Sequence, residues 1–176
     1  MTDDSYVKLC FGGNQEAALN QTVTHIDAIN QVLLREEFVY NGGEEVYRNF
    51  GYDLVSVILG HSVFHQFDHQ QVINTRQLNA TLKSSALAKE RLRPALLVFF
   101  TGKQLSDGYR GFKCGAACNP HNNSVAVSFY GCPFKRNSEE YKQVLSTTFH
   151  ELLHGIGVEH SNGTDVMNTH DANNLV

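Results

Sequence analysis

Three histidines near the end of the chain constrain this sequence more than any other feature. They stand at positions 150, 154 and 160 in the segment HELLHGIGVEH, which has the pattern H-E-x-x-H-x-x-G-x-x-H. Because a helix has about 3.6 residues per turn, His150 and His154 share one face and can reach a single metal ion. Gly157 permits the left-handed backbone that ends a helix, and the returning chain can bring His160 to the same ion. The spacing therefore predicts one metal site with three histidine ligands.

Glu151 is the second residue of this pattern, and its position predicts a different role. It lies about 100° around the helix from His150, which places it beside the ion rather than on it. A carboxylate there can take a proton from a water molecule on the metal, as a general base does. Three neutral nitrogen ligands suit zinc and leave its fourth position open, whereas structural zinc is closed by four protein ligands. We therefore expect one catalytic zinc ion, with Glu151 as the base.

Length and charge exclude several other classes of protein. The chain has 176 residues, of which 41% are hydrophobic and 18% charged, so we expect one globular domain over residues 1–176. We divide it into an upper part of about 1–155 and a short lower part of about 156–176. The net charge is −4 with no basic block, so nucleic acid is not expected as a partner. The longest apolar run, 95–100, is far shorter than the ~20 residues of a membrane helix. We expect a monomer.

Hydrophobic periodicity predicts an α/β fold with a twisted, mostly parallel sheet and an antiparallel edge strand. Helices are predicted at about 14–35 and about 75–91, and from Asn137 through the histidine segment. Asn137 with Glu140 forms a candidate capping box for that last helix. The predicted strands are 6–11, a doubly covered 53–59, a central 95–100, and an edge hairpin of 111–114 with 124–129. The predicted buried stripes are Leu19, Val23, Ile26, Ile29 and Leu33 on the first helix, and Tyr141, Leu145, Thr148, Leu152 and Ile156 on the last.

Cysteines and glycosylation sequons favour an oxidising compartment. The four cysteines suit two disulfides whose pairing the sequence leaves open: Cys10, Cys114, Cys118 and Cys132. The four sequons suit a secreted glycoprotein: Asn20, Asn79, Asn122 and Asn162. The first residues have no apolar signal segment, so we expect any secretory signal or pro-segment to lie outside this sequence.

Two further groups of residues have the spacing of metal ligands. His61, His65 and His69 are four residues apart, but polar neighbours make hydrogen-bonded surface histidines the better interpretation. Cys114 and Cys118 fit few zinc motifs and have no matching pair nearby, so a disulfide is the preferred hypothesis for them.

The histidine pattern, followed by Asp165-Val166-Met167-Asn168 as a methionine turn, resembles the metzincin zinc endopeptidases. Upstream, the chain is similar to the adamalysin or reprolysin branch at 97–102, at Cys118-Asn119-Pro120 and at 124–127. The resemblance implies a metzincin fold, Met167 as a floor beneath the zinc, Gly157 as a second structural support of the site, and an edge strand that lines the substrate cleft. Within that edge, the candidate substrate contacts are Gly111, Phe112 and Lys113.

Some features depart from the adamalysin pattern. Ser161 follows the third histidine, as in the matrixins, and Met167 comes only seven residues after His160. No cysteine lies beyond Cys132, so the usual disulfide to the C-terminal part cannot form. Only nine residues follow Met167, and no tyrosine stands just after it to act as an extra ligand.

These observations predict a secreted zinc endopeptidase that hydrolyses peptide bonds in proteins or peptides. The chief alternative is a secreted zinc-containing toxin or binding module of the same fold that does not cleave its partner. The presence of Glu151 argues against that alternative, because an inactive relative is expected to lose the base. A third hypothesis, a zinc hydrolase acting on chain ends, needs a charged residue to hold a terminus, and the sequence identifies none.

Overall fold

A three-stranded mixed sheet lies at the centre of the computed structural model, which describes residues 1–35, 38–40, 45–84, 96–115, 123–135, 137–160 and 167. The helices are α1 Asp4–Phe11, α2 Gln15–Leu33, α3 Thr75–Ser84 and α4 Glu139–Gly155, with 3-10 turns at Ser62–Phe67 and Ser106–Gly108. The strands are β1 Phe38–Tyr40, β2 Glu45–Tyr47, β3 Val72–Ile73, β4 Leu97–Thr101, β5 Gln104–Leu105, β6 Gly111–Gly115 and β7 Asn123–Ser128. The fold is therefore a mixed α/β arrangement.

The central sheet has the order β4-β7-β6, with β4 parallel and β6 antiparallel to β7. Every residue of β7 is buried, because both faces of the sheet are covered. Val125 and Val127 pack into a core with helices α1, α2 and α4, while Ala126 packs into a second core beside α3 and the turn at Ser62–Phe67. The predicted antiparallel edge hairpin is confirmed. Strand β4, predicted to be central, has β7 on one side and a parallel bridge from Thr2 to Phe100 on the other.

Two small sheets accompany the central one. Strands β1 and β2 pair antiparallel, and β3 and β5 pair parallel. No helix within the described ranges has the length and apolar character needed to span a bilayer.

Segment 6–11 forms helix α1, so the prediction of a strand there is wrong. The side chain of Asp3 accepts a hydrogen bond from the Tyr6 amide at 3.0 Å and caps the helix. Tyr6, Val7 and Cys10 are buried, which is a helical spacing, and Gly12 ends the helix in a left-handed conformation. The short apolar run fits both the helical and the strand period, and the Asp3 cap selects the helix.

Segment 53–59 has no regular secondary structure, so the prediction of a doubly covered strand is also wrong. Leu54 is 43% and Val55 is 70% exposed. A strand needs backbone partners on its edges. Within the described part of the chain, this segment has such a partner only at its end, where the Ile58 carbonyl accepts a hydrogen bond from the Thr2 amide.

The predicted helix at about 14–35 is confirmed as α2, but its buried stripe differs. Leu19 and Val23 are exposed, whereas Ile26, Ile29 and Leu33 are buried as predicted. The stripe is completed by the small or polar residues Ala18, Thr22 and His25. Helix α3 begins as predicted at Thr75, and the predicted portion beyond residue 84 lies outside the described residues.

One disulfide joins Cys10 of α1 to Cys132, which follows β7. Cys114 carries a buried free thiol, so the prediction that all four cysteines are paired is wrong for this residue. Burial raises the pKa of the Cys114 thiol to about 12. Cys118 lies outside the described residues.

Candidate metal centre

Helix α4 carries two of the three histidines, and contacts along its length fix its position. Ser138, rather than the predicted Asn137, caps its start by accepting a hydrogen bond from the Tyr141 amide. Asn137 has a φ of 64° and therefore lies outside the helix. Near the other end, the Tyr52 hydroxyl donates to the Leu152 carbonyl at 2.7 Å. The Asn123 side chain donates to the Gly155 carbonyl at 2.8 Å, which ties the end of α4 to the start of β7.

The chain reverses directly after α4, as the glycine at 157 predicted. Gly157 has a φ of 96°, and its amide donates to the His154 carbonyl at 3.1 Å. The Val158 amide donates back to the Leu153 carbonyl at 3.0 Å, which closes the turn. A side chain at Gly157 would be strained in this conformation. The reversal brings His160 back to the face of α4 that carries His150 and His154.

The Nε2 atoms of the three histidines converge on one point. His154 Nε2 lies 3.0 Å from the Nε2 of His150 and 3.0 Å from that of His160. The remaining pair, His160 and His150, is separated by 3.2 Å. His150 and His154 are half-buried and His160 is exposed, so solvent can reach the cluster from one side.

A backbone carbonyl fixes the orientation of His154. Its Nδ1 lies 2.7 Å from the carbonyl oxygen of Val158, which can only accept, so Nδ1 carries the proton. The lone pair is then on Nε2, where a metal would need it. Burial lowers the pKa of His154, and the positive charges that His150 and His160 would carry act in the same direction.

The donor set fits a zinc ion. Each Nε2 offers one proton or one lone pair in its ring plane, so three such atoms in a triangle cannot all satisfy one another. Tetrahedral zinc with nitrogen ligands at about 2.0–2.1 Å would hold those nitrogens about 3.3–3.4 Å apart. The observed separations of 3.0, 3.0 and 3.2 Å come within a few tenths of an ångström of that spacing.

Glu151 is buried beside the histidines, with only 6% of its surface exposed. Burial raises the pKa of this carboxyl to about 8. Its Oε2 atom has no hydrogen-bond partner among the described residues. Gly111 of strand β6 makes room for it, because a Cβ there would lie 2.8 Å from Glu151 Cγ and 2.8 Å from Thr147 Cγ2. Glu151 therefore lies between the helix and the edge strand.

Strand β6 presents part of its backbone to the side away from β7. The Ser128 amide donates to the Arg110 carbonyl at 2.6 Å, so Arg110 faces β7. Backbone groups alternate along an antiparallel strand, and Phe112 and Cys114 therefore face β7 as well. The amides and carbonyls of Gly111 and Lys113 point outward, and no strand in the described part of the chain pairs with that edge.

The three candidate substrate contacts consequently separate into two groups. Lys113 lines a cavity of about 390 Å³ together with His154, Gly157, Val158, Glu159 and His160. Gly111 lies over Glu151, as described above. Phe112 instead packs into the second core on the opposite face of the sheet. The side-chain alternation of a strand explains this, so only Gly111 and Lys113 lie on the histidine side.

Met167 is 4% exposed and belongs to the core that also contains Phe149, Leu152 and Leu153 of α4. Met167 therefore shares a core with the helix that carries His150 and His154, as a residue that supports the site from below would. The other residues of the predicted methionine turn, Asp165, Val166 and Asn168, lie outside the described residues, as does Ser161.

The hypothesis of a second metal site on His61, His65 and His69 is not supported by the described residues. The Nδ1 atom of His61 accepts a hydrogen bond from the Val63 amide at 3.1 Å. His65 instead lies near Asp4 and Asp68, with ligand atoms within 4.8 Å of one another. One carboxylate of that group is already paired, because Lys8 Nζ donates to Asp4 Oδ2 at 2.8 Å.

Sequence reasoning missed the residues that orient the site: Val158, Tyr52, Asn123 and Thr147. Val158 lies four residues after His154, so its carbonyl was a detectable partner within the pattern itself. The other residues come from distant segments or act through packing, and no local signal marks them.

No protein-family model matches this chain, and no curated protein matches it in sequence. The function is therefore inferred from the motif and from the geometry of the histidine cluster and its surroundings.

Proposed function

We propose that the chain is the catalytic domain of a zinc-dependent endopeptidase of the metzincin type, secreted and acting on proteins or peptides. One observation carries the proposal: three imidazole nitrogens converge within 3.2 Å of one another, next to a buried glutamate and to an edge of β6 that has no strand partner among the described residues. The disulfide between Cys10 and Cys132 supports an oxidising compartment.

The chain's residues would divide the reaction as follows. His150, His154 and His160 would hold zinc, which when bound polarises a carbonyl and activates water. The positive charge of a bound zinc ion would favour the ionised form of Glu151 over the protonated form that burial favours. Glu151 would then take a proton from the attacking water and later deliver it to the leaving amine. Its burial keeps other water away from the carboxylate, and its position beside Gly111 places it next to the strand edge.

The edge of β6 supports an extended peptide as substrate. The outward amides and carbonyls of Gly111 and Lys113 can form a ladder with a peptide backbone, which is recognition by strand addition. Such binding needs no chain end, so it favours cleavage within a chain. The cavity lined by Lys113 and His160 lies next to this edge and can take one substrate side chain.

The decisive variant is Glu151→Gln, which keeps the outline of the side chain but removes its capacity as a base. We expect zinc content and fold to be retained. Peptide cleavage, measured as kcat/KM, should fall by at least the ~10²–10⁴ assigned to a positioned general base. The substrate should be a peptide blocked at both ends, because a hydrolase of chain ends would leave it intact.

Glu139→Gln is the matched control, since Glu139 is an exposed residue in the first turn of the same helix. It should cleave at the wild-type rate. A Glu151→Gln protein that keeps its zinc and cleaves within a few-fold of wild type would contradict the proposed role. A zinc-loaded wild type that cleaves no peptide or protein substrate would favour the binding module.

A further inference from the structure

The side chain of Lys113 lies on the face of strand β6 that helix α4 covers. Lys113 is paired with Val125 of β7, and the side chains of directly opposed residues in an antiparallel pair project to the same face. Val125 is buried in the core that contains Leu152 and Leu153 of α4. The Lys113 side chain is therefore on the same side of the sheet as the histidine cluster, and it is half-buried there.

Lys113 lines the cavity of about 390 Å³ that opens where α4 has ended, together with His154 and His160. Burial is the main cause of the lowered pKa of His154, and the positive charge of Lys113 acts in the same direction. The ammonium of Lys113 therefore lies close enough to the cluster for its charge to act on a proposed ligand.

The fixed charges on the described lining of this cavity are one lysine and one glutamate, Lys113 and Glu159. Glu159 is exposed, so water and salt screen its charge more than that of the half-buried Lys113. No ion pair joins Lys113 to Glu159 or to another carboxylate within the described ranges. The carboxyl of Glu151 lies two residues along β6, beside Gly111. One wall of the cavity is therefore positive, and no described anion is paired with it.

We propose that the Lys113 side chain selects substrates that place a carboxylate in this cavity, carried by an aspartate or glutamate residue of the bound peptide. The proposal rests on the proposed peptidase function and names the chemical class of its substrate. An extended peptide along the outward backbone groups of Gly111 and Lys113 turns alternate side chains toward this face. A carboxylate beside Lys113 would accept a charge-assisted hydrogen bond, which is stronger than the bond to a neutral amide of the same shape.

A lysine on a strand edge has a second common use, which is to prevent pairing with another copy of the chain. That use needs a charge in solvent, whereas Lys113 is half-buried and shares a cavity with two histidines of the cluster. The two uses predict different results when the charge is removed. Substrate selection predicts a lost preference for acidic peptides, and edge protection predicts self-association.

The test measures peptide binding by the zinc-loaded Glu151→Gln protein, which should hold a peptide without cleaving it. The probes are ten-residue peptides of alanine, serine and threonine, blocked at both ends, in which each position in turn is glutamate, glutamine or lysine. We expect one position at which glutamate binds about tenfold more tightly than glutamine at low salt. This ratio should fall as salt is added. Adding Lys113→Met should abolish the preference, and adding Lys113→Glu should turn it toward lysine.

Lys142→Met is the matched control, because Lys142 lies on α4 outside the cavity lining and is paired with Glu139 at 3.3 Å. It should keep the preference for glutamate. Glu159→Gln should strengthen that preference about two- to threefold, since it removes an exposed opposing charge. Equal affinity for glutamate and glutamine at every position would overturn the proposal, as would a preference that survives Lys113→Met. Self-association of Lys113→Met with an unchanged preference would show edge protection instead.

Two further measurements separate this inference from the peptidase function itself. Peptides with a free C-terminal carboxylate are added to the series, and Lys113-dependent binding of these alone would overturn the assignment to a side chain. The wild-type protein is then tested for cleavage of the blocked peptides. Cleavage without any preference for glutamate would keep the peptidase function and reject the role of Lys113. If no blocked peptide is bound or cleaved, both are rejected.

Discussion

Helix α4 is in contact with two kinds of histidine site, a single histidine from α2 and a cluster of three, and their environments are opposite. His25 approaches the middle of the helix from α2 and is completely buried among Phe100, Phe129 and Tyr141. His150, His154 and His160 lie at its C-terminal end, partly open to solvent and turned toward one another. The two sites differ in what their ring nitrogens contact: a threonine hydroxyl at His25, and the other imidazoles in the cluster.

Their tautomers show the difference in role. The Thr148 hydroxyl donates to the Val144 carbonyl at 2.8 Å, so it accepts from His25, whose Nε2 therefore carries the proton. His154 has its proton on Nδ1, held by Val158, and keeps the Nε2 lone pair free. One histidine thus packs two helices together, while the other has the Nε2 lone pair that a metal ligand needs. A buried imidazole with one hydrogen-bond partner indicates a packing role. Several imidazole nitrogens that converge where solvent can reach them indicate metal ligands.

Removing a ligand should produce the largest effect that separates these groups. We expect His160→Ala to retain less than about one hundredth of the wild-type zinc affinity, because two ligands on one helix do not complete a site. Peptide cleavage should fall with it. The measurement is zinc content after dialysis against a weak chelator, followed by kcat/KM.

His25→Gln is the control for that experiment, since it changes a histidine that packs against the same helix. It should keep one zinc per chain at neutral pH. A His25→Gln protein that loses zinc as readily as His160→Ala would remove the distinction between packing and ligand histidines.

A smaller effect is expected at the strand that covers Glu151. Gly111→Ala places a Cβ 2.8 Å from Glu151 Cγ, so the glutamate must move. We expect kcat/KM to fall about ten- to a hundredfold, as a misplaced catalytic group commonly costs, with zinc content unchanged. Adding Thr147→Ser removes the Cγ2 atom that also meets the new methyl group and should restore part of the activity. Unchanged activity in Gly111→Ala would show that Glu151 does not depend on this packing.

The smallest effect should appear in the pH dependence of stability. Burial lowers the pKa of His25 to about 3 in the folded protein, whereas an unfolded histidine titrates near 6.5. Neutral His25 therefore contributes stability that is complete above about pH 6.5 and is lost as the pH falls toward 3. Urea unfolding of metal-free protein at several pH values should show a steeper loss in wild type than in His25→Gln. If the unfolding free energy depends on pH equally in both proteins, His25 is in contact with water and the account is wrong.

The sequence predicted the parts of the site that depend on short spacing. His150, His154, Gly157 and His160 lie within eleven residues, so helix geometry and one glycine turn determined their convergence. The edge hairpin was likewise visible in its alternation. Asn123, Tyr52 and His25 were not predicted as partners of α4, because their contacts join segments that are distant in sequence and leave no periodic signal.

The two failed strand predictions have different causes. Segment 6–11 is short enough to fit either a helix or a strand, and the Asp3 cap selects the helix. Segment 53–59 has strand composition, but among the residues that the structure describes it has a backbone partner only at Ile58. Strand formation depends on a neighbour, so composition alone could not predict it.

X-ray absorption at the zinc edge, on protein loaded with one zinc per chain, tests the central claim most directly. The account predicts three imidazole nitrogens at about 2.0–2.1 Å and one further oxygen at a similar distance, with no sulfur. The oxygen signal should change when a hydroxamate is added, because an open position can exchange its ligand. Four protein ligands, or a sulfur ligand from a cysteine, would contradict an open three-histidine centre.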